Sequence, residues 1–494
     1  MKCFRSLMVA ALLVVTCTGS AFAVDVQARG YWWMEAIGRQ NWNLLSKGAS
    51  SEDNQFSIEQ KLRTAFVFTA NENLRGVLDT QIGTNNWGSG MYGIGAGRSA
   101  NTDTTATAGA NGAGNSNIML RKAYVEFKIP NTLVNLSVGY QTVTLPAAFG
   151  GGSAIMDDQV AAAVISAPLT DNISITAGYA RPYDSRNVGA TATVYSGEGT
   201  SQDVLFAALP VKFGQHSLTP FVAYTNAGYQ SVNGAGATSL LGYAGPNSTN
   251  SDGLRGYWGG VAYTGVVPNH KIMADFNYGK ATYNTSSSST NGGRSGFLFD
   301  VAVDYTGYNL MTPELFFTYS SGENGNSTSD SGKSGRMPVI GLPQNWAIGS
   351  FFFGERLELA GFMPNGGYTR STLGYWAAGI SLKDISFVDK LSHTFNLLYA
   401  KGTNSKDYLY EAGGTVRNAN YGGFLTEKDH LWEVDFNSRY KIYDELSVLL
   451  YLGWVHADYD KDTWGASTVT NAADIRNYAS SNAYKVGMGL NYFF

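Results

Sequence analysis

The last stretch of the chain, residues 484–494, alternates two kinds of residue up to its final position. Tyr484, Val486, Met488, Leu490, Tyr492 and Phe494 are apolar, whereas Lys485, Gly487, Gly489 and Asn491 are polar or small, and Phe493 alone breaks the pattern. A period of two predicts a strand with two unlike faces. Terminal residues usually fray, so an aromatic strand at the very end of a chain needs a partner to hold it, and closing a sheet into a barrel supplies one. An apolar-out, polar-in strand of about ten residues is also long enough to cross a bilayer core when tilted.

The same alternation recurs from residue 24 onward. Val26, Ala28, Trp32, Met34 and Ala36 stand against Gln27, Arg29, Tyr31, Trp33 and Glu35. Phe56, Ile58, Leu62, Phe66 and Phe68 form an outward face opposite Glu59, Lys61 and Arg63, and a tight turn at 70–73 leads into Leu74, Leu78 and Ile82 opposite Arg75, Asp79 and Gln81. Further strands are predicted at 123–129, 134–141, 159–167, 172–181, 203–209, 217–225, 257–264, 271–279, 297–306, 312–320, 373–382, 392–400, 430–442 and 446–455. Connections are short near residues 70, 131, 170, 212, 267, 308, 386 and 444, and long in between. Eight turns and nine loops give an all-β fold: a transmembrane antiparallel β-barrel of eighteen strands, with short periplasmic turns and long external loops. Merging two weak strands into loops would leave sixteen, and an extra hairpin in the longest loop, 322–371, would make twenty. Strands running toward the long loops finish on an aromatic, at Tyr179, Tyr224, Tyr278, Tyr319, Tyr399 and Trp454, which predicts a girdle at a membrane interface.

The first residues set the compartment. Lys2 and Arg5 precede an apolar run at 7–15, and Ala21-Phe22-Ala23 offers a cleavage site, so residues 1–23 read as a removed signal peptide and 24–494 as the barrel. That apolar run is too short to span a bilayer, and no run of 18 apolar residues follows it. Cys3 and Cys17, the chain's two cysteines, both fall in the leader, so the mature chain has no thiol to mispair in an oxidising compartment. Cys17 as a lipid-anchor site is disfavoured by Thr16 before it and by the cleavage site after it. Of 34 basic and 38 acidic residues, loss of Lys2 and Arg5 leaves 32 against 38, a net charge of −6. No basic block is present, so nucleic acid is not an expected partner.

Over the whole mature length the chain resembles the trimeric general-diffusion porins of Gram-negative outer membranes, most of all the homotrimeric porins of sulfate-reducing bacteria. The resemblance is carried by the terminal Phe strand, by Gln60-Lys61-Leu62-Arg63 and by Arg121-Lys122-Ala123-Tyr124-Val125, with Glu126 where those porins often have Gly. It implies that Leu490, Tyr492 and Phe494 form a signal read by the outer-membrane barrel insertion machinery, and that the barrel sits as a homotrimer among outer-membrane lipid and lipopolysaccharide. It also implies that the third long loop, 143–158, folds inward. That loop brings Asp157 and Asp158 toward Arg29, Lys61, Arg63 and Arg75, which share the inward phase of the first three strands, and so forms a pore constriction.

The expected function is passive diffusion of small hydrophilic solutes and ions through a water-filled channel. The alternatives are a substrate-specific channel, for sugars for example, since Tyr31 and Trp33 share the inward phase, and a barrel scaffold that displays adhesive loops. The longest loop carries Asn345-Trp346-Ala347-Ile348 and Phe351-Phe352-Phe353, too apolar for a solvated excursion, and is expected to pack inside the mouth or on a neighbouring subunit. Catalysis is not expected: His216 and His270 fall at turns, and His393, His430 and His456 in the outward phase of strand ends. Neither cofactor nor metal is expected. Gly93-Ile94-Gly95-Ala96-Gly97 lacks the βαβ setting of a phosphate loop. Asp458, Asp460 and Asp462 match the start of a calcium loop, but Gly465 is displaced and Val469 stands where a Glu is required.

Overall fold

The computed structural model describes residues 24–41, 54–87, 118–184, 201–228, 254–283, 293–325, 334–341, 346–354, 374–409, 425–465 and 480–494. The expected signal peptide at 1–23 and the Gly-rich segment at 93–97 lie outside these residues. The strands are β1 (Asp25–Gln40), β2 (Asn54–Asn71), β3 (Leu74–Asn86), β4 (Ile118–Lys128), β5 (Asn135–Thr144), β6 (Asp157–Pro168), β7 (Ser174–Asp184), β8 (Ser201–Ala208), β9 (Val211–Phe213) and β10 (His216–Ala227). They continue as β11 (Leu254–Val267), β12 (His270–Tyr283), β13 (Gly293–Tyr305), β14 (Thr312–Ser320), β15 (Tyr375–Val388), β16 (Leu391–Gly402), β17 (His430–Lys441), β18 (Leu446–Asp458) and β19 (Ser480–Phe493).

Each strand pairs antiparallel with the next, except that β8 and β9 share β10, and β19 returns to β1. β8 and β9 both pair with β10 and are separated only by Leu209 and Pro210, so the nineteen segments make eighteen staves. Proline has no N–H to give to a ladder, which accounts for the break. The expected eighteen strands are thus present. Several run further on the loop side than hydrophobic alternation predicts: β12 reaches Tyr283 and β13 begins at Gly293. Lys280, Thr282 and Ser295 stand in the outward phase of these extensions and Ala281 in the inward one, so the apolar-out period of two does not mark them.

The barrel closes down to its last residue. Gly30 donates its N–H to the Phe494 carbonyl at 2.8 Å, and Phe494 donates back to the Gly30 carbonyl at 3.1 Å. The outer face is apolar, with Val26, Val138, Val222, Leu315, Val486 and Met488 among its exposed side chains. At its loop-side rim the expected girdle forms by cross-strand contact, as in Tyr224 with Tyr257 (ring centroids 5.1 Å apart) and Tyr399 with both Trp432 (4.9 Å) and Trp376 (5.4 Å). No described helix is long and apolar enough to cross a membrane.

The hydrophobic core lies inside the barrel. Leu145, Phe149, Ile155 and Met156 of the β5–β6 loop pack with Trp346, Ile348, Phe351, Phe352 and Phe353 of the β14–β15 loop against wall residues such as Phe206, Trp258, Phe316 and Tyr375. The run Val160-Ala161-Ala162-Ala163-Val164, apolar on both faces, fits this arrangement, because Val160 and Ala162 are buried in the same cluster.

Candidate pore lining and constriction

Two loops enter the lumen, and wall carboxylates hold both. The β5–β6 loop reaches Asp275 on β12, whose carboxylate accepts N–H bonds from Ala148 (2.8 and 2.9 Å) and Phe149 (2.9 Å). The β14–β15 loop lies on it: Ile340 donates to the Ile155 carbonyl at 2.9 Å and Ala347 to that of Gly150 at 2.9 Å. Gly150 has φ +75°, and a Cβ there would stand 2.6 Å from the Trp346 ring, so both backbone and packing require glycine. Nearer the loop base, Glu323, 1% exposed, lies 3.2 Å from Arg294 and 3.9 Å from Arg336. The described parts of the longest loop, 322–325, 334–341 and 346–354, therefore pack inside the mouth, one of the two placements its apolar composition suggests.

On the β1–β2–β19 side the lumen stays polar. A cavity of about 460 Å³ is lined by Tyr31, Trp33, Glu35 and Ile37 of β1, Glu59, Lys61 and Arg63 of β2, Thr84 of β3, Leu449 and Tyr451 of β18, and Lys485, Asn491 and Phe493 of β19. Ser350 and Gly354 at the tip of the β14–β15 loop complete its wall. Three cations and two carboxylates face one space, alongside four rings. Lys61 stands 5.1 Å over the Trp33 ring and Arg63 5.6 Å over Tyr31, so each of these rings has one face covered by a cation. Arg63 Nε donates to Gln81 Oε1 at 2.6 Å, and Arg121 donates to the same oxygen at 3.0 Å.

The residues expected to form the constriction divide between places. Lys61 and Arg63 line the cavity. Arg29 is exposed at the turn-side end of β1, and Arg75, half exposed, is paired to Glu126 at 2.8 Å on β4. Asp157 is buried and accepts from the Thr144 hydroxyl at 2.8 Å. Asp158 accepts from the Gln159 N–H at 2.7 Å and packs beside Gly341 of the long loop. The cavity lining thus brings Lys61 and Arg63 together and does not include Asp157, Asp158, Arg29 or Arg75. Gly341 of the long loop lies beside Asp158, and the loop's tip, Ser350 and Gly354, lines the same cavity as Lys61 and Arg63. Sequence reading passed over Glu35, Glu59 and Lys485 as site residues although all three sit in an inward phase. It also passed over Tyr451, in the inward phase of β18, and Ser350, a loop residue for which no periodic signal exists.

The acidic run after β18 is taken up by local structure. Asp458 lies 3.7 Å from His430, and Asp460 caps the short helix Lys461–Gly465 by accepting from Thr463 N at 2.7 Å. Beside it, burial pushes the Asp429 carboxyl above its ordinary value, while hydrogen bonds from Thr426, Asp460 and Trp464 pull it back down.

No protein-family model matches the chain, and no curated protein matches it in sequence. Solved structures do resemble it. OccAB3 of Acinetobacter baumannii aligns at 11% identity over 95% of this chain and 99% of its own, with a TM-score of 0.51. OpdO of Pseudomonas aeruginosa aligns at 11% identity over 95% and 97% with a TM-score of 0.50, and OpdL of the same organism at 10% over 95% and 99% with the same score. At these identities what is shared is the fold alone.

Proposed function

We propose that this chain is a Gram-negative outer-membrane porin, a water-filled channel for passive diffusion of small hydrophilic solutes and ions, and not an enzyme. One observation carries the reading: a closed barrel with an apolar outer belt keeps, beside its packed loops, a 460 Å³ space lined by charges of both signs. Charged walls hold water, and a barrel of this strand number has room for an aqueous path. Long loops then face outward, toward lipopolysaccharide, and short turns face the periplasm. The apolar alternation of Leu490, Tyr492 and Phe494 is the segment that the barrel insertion machinery would read. The kinship with homotrimeric porins of sulfate-reducing bacteria rests on the sequence segments around Lys61 and Lys122, and the small outward side chains of Ala161 and Ala163 offer a surface on which three copies could pack. A sugar-specific channel is less well supported, because the inward rings Tyr31 and Trp33 each have a cation over one face.

The test is current across a planar bilayer and solute entry into liposomes. A porin gives steps of conductance proportional to salt and passes neutral solutes in order of size. Saturable flux of one solute class would replace this reading with the specific channel, and no flux at all would leave only the scaffold.

A further inference from the structure

The tip of the β14–β15 loop is a compact turn: Ile348 and Gly349 donate to the Phe353 carbonyl at 3.0 and 3.2 Å. Its remaining N–H groups point at β17. Glu433, 0% exposed, accepts from Phe351 (3.2 Å), Phe352 (2.8 Å) and Phe353 (3.1 Å), and Asp435 accepts from Ser350 at 2.8 Å. Asn437 on the same strand donates to the Ser350 hydroxyl at 2.7 Å, and Lys485 on β19 donates to the Ser350 carbonyl at 2.5 Å. A Cβ at Gly349 would stand 2.1 Å from Glu433 Oε1, so the chain approaches the carboxylate as closely as glycine permits. Successive N–H groups turned onto one carboxylate make an anion nest, here with the anion on the wall and the nest on the loop. Ser350 and Gly354, at either end of this tip, are the two loop residues in the cavity wall.

We propose that Glu433 and Asp435 are positioning residues that latch Ser350–Gly354 as the inner wall of the permeation path, so that this loop, rather than the one between β5 and β6, sets the aperture beside Lys61 and Arg63. The proposal rests on the porin reading and adds which residues fix its bore. Neither carboxylate lines the cavity; both act through the loop. Without Glu433, three buried N–H groups lose their acceptor, and the tip is released toward water.

The chain's two cysteines, Cys3 and Cys17, both lie in the segment expected to be cleaved, which permits a reversible test. Single-channel conductance is measured for the parent, for Glu433→Ala, and for Glu433→Ala carrying Ser350→Cys and Asn437→Cys, whose side chains touch. Glu433→Ala is expected to raise conductance about two-fold or more and to add current noise, as a wider and mobile aperture would. Joining residues 350 and 437 with a short bis-methanethiosulfonate linker should restore the parent conductance, and dithiothreitol should reverse it. Glu433→Gln, which keeps one acceptor oxygen, should fall between and is read in the same way if Glu433→Ala does not yield a heat-modifiable barrel. A conducting parent whose folded Glu433 variants show its conductance and noise unchanged overturns the latch. A parent that does not conduct overturns the porin reading instead.

Discussion

Phe494 and Gly30 exchange two backbone hydrogen bonds, so the last residue of the chain is also the last rung of the seam that closes the barrel. The register continues with Phe493 opposite Tyr31 and Tyr492 opposite Trp32. A Cβ on Gly30 would stand 2.0 Å from the Arg63 carbonyl oxygen and 3.0 Å from the Phe494 ring, so the seam needs glycine here as well as a residue at 494. Deleting Phe494, or changing Gly30 to Val, should leave the β1 and β19 edges unpaired at the turn side, where an open edge in lipid is costly. The expected outcome is loss of the heat-modifiable form from outer-membrane fractions and accumulation of unfolded chain. Normal levels of heat-modifiable protein in both variants would contradict the role given to this seam.

Charge selectivity should follow the cavity lining. Lys61, Arg63 and Lys485 against Glu35 and Glu59 leave one net positive charge beside the loop tip. Two unit charges about 5 Å apart in water interact by roughly 0.8 kcal/mol, and salt screens them over about 8 Å, so selectivity should be a few-fold rather than absolute. Changing Lys61 and Arg63 together to Gln should shift the reversal potential in a salt gradient toward cations. Changing Asp157 and Asp158 to Asn should move it much less, because Asp157 is bonded to Thr144 and Asp158 lies beneath the long loop. The reverse ranking would return the constriction to the β5–β6 loop.

Asp275 offers a separate test of the other inserted loop. Its carboxylate takes the N–H groups of Ala148 and Phe149, yet Asp300, also buried, stands directly across from it in register. Hydrogen bonding favours the aspartate and like-charge repulsion opposes it, and the two effects part on substitution. Asp275→Ala removes the acceptor and should cost about 2 to 4 kcal/mol, seen as a shorter half-life of the folded form on heating in detergent. Asp275→Asn retains an acceptor and relieves the repulsion, so it should be nearly neutral. If Ala proves as resistant to heat as the parent, the loop is held by its apolar contacts alone.

Much of the barrel can be read from the chain because a two-faced strand writes its orientation at every second residue. All eighteen staves follow from that signal, and the loop-side extensions of β12 and β13 escape it because their outward positions, Lys280, Thr282 and Ser295, are polar. Lys61 and Arg63 are legible as inward for the same reason. What cannot be read is which inward residue meets which loop: Phe351 and Glu433 lie 82 positions apart and no period links them. The apolar triplet 351–353 signals that this loop packs on something, but the carboxylates that receive it look like ordinary lumen charges on β17. The expected role of Asp157 and Asp158 rests on resemblance alone, since no period in the sequence says which wall residues an inserted loop faces.

Assembly is the remaining question that one surface can answer. On β6 the inward residues Val160 and Ala162 are accounted for by packing beneath the inserted loops, whereas Ala161, Ala163 and Ala167 share the outward phase with Ile165. Ala177 of β7 stands opposite Ile165 in register and Val138 of β5 opposite Ala163, so small side chains widen into a patch of low relief across neighbouring staves. Small residues let helices or walls approach closely in lipid, where packing rather than the hydrophobic effect holds subunits together. The parent protein in mild detergent should therefore have the mass of three chains. Changing Ala161 and Ala163 to Trp should give the mass of one chain while leaving the heat-modifiable barrel intact, since both residues face outward and touch no core. A parent that has the mass of one chain at every detergent concentration would rule out the trimer, and a trimer that survives both tryptophans would place its interface elsewhere on the barrel.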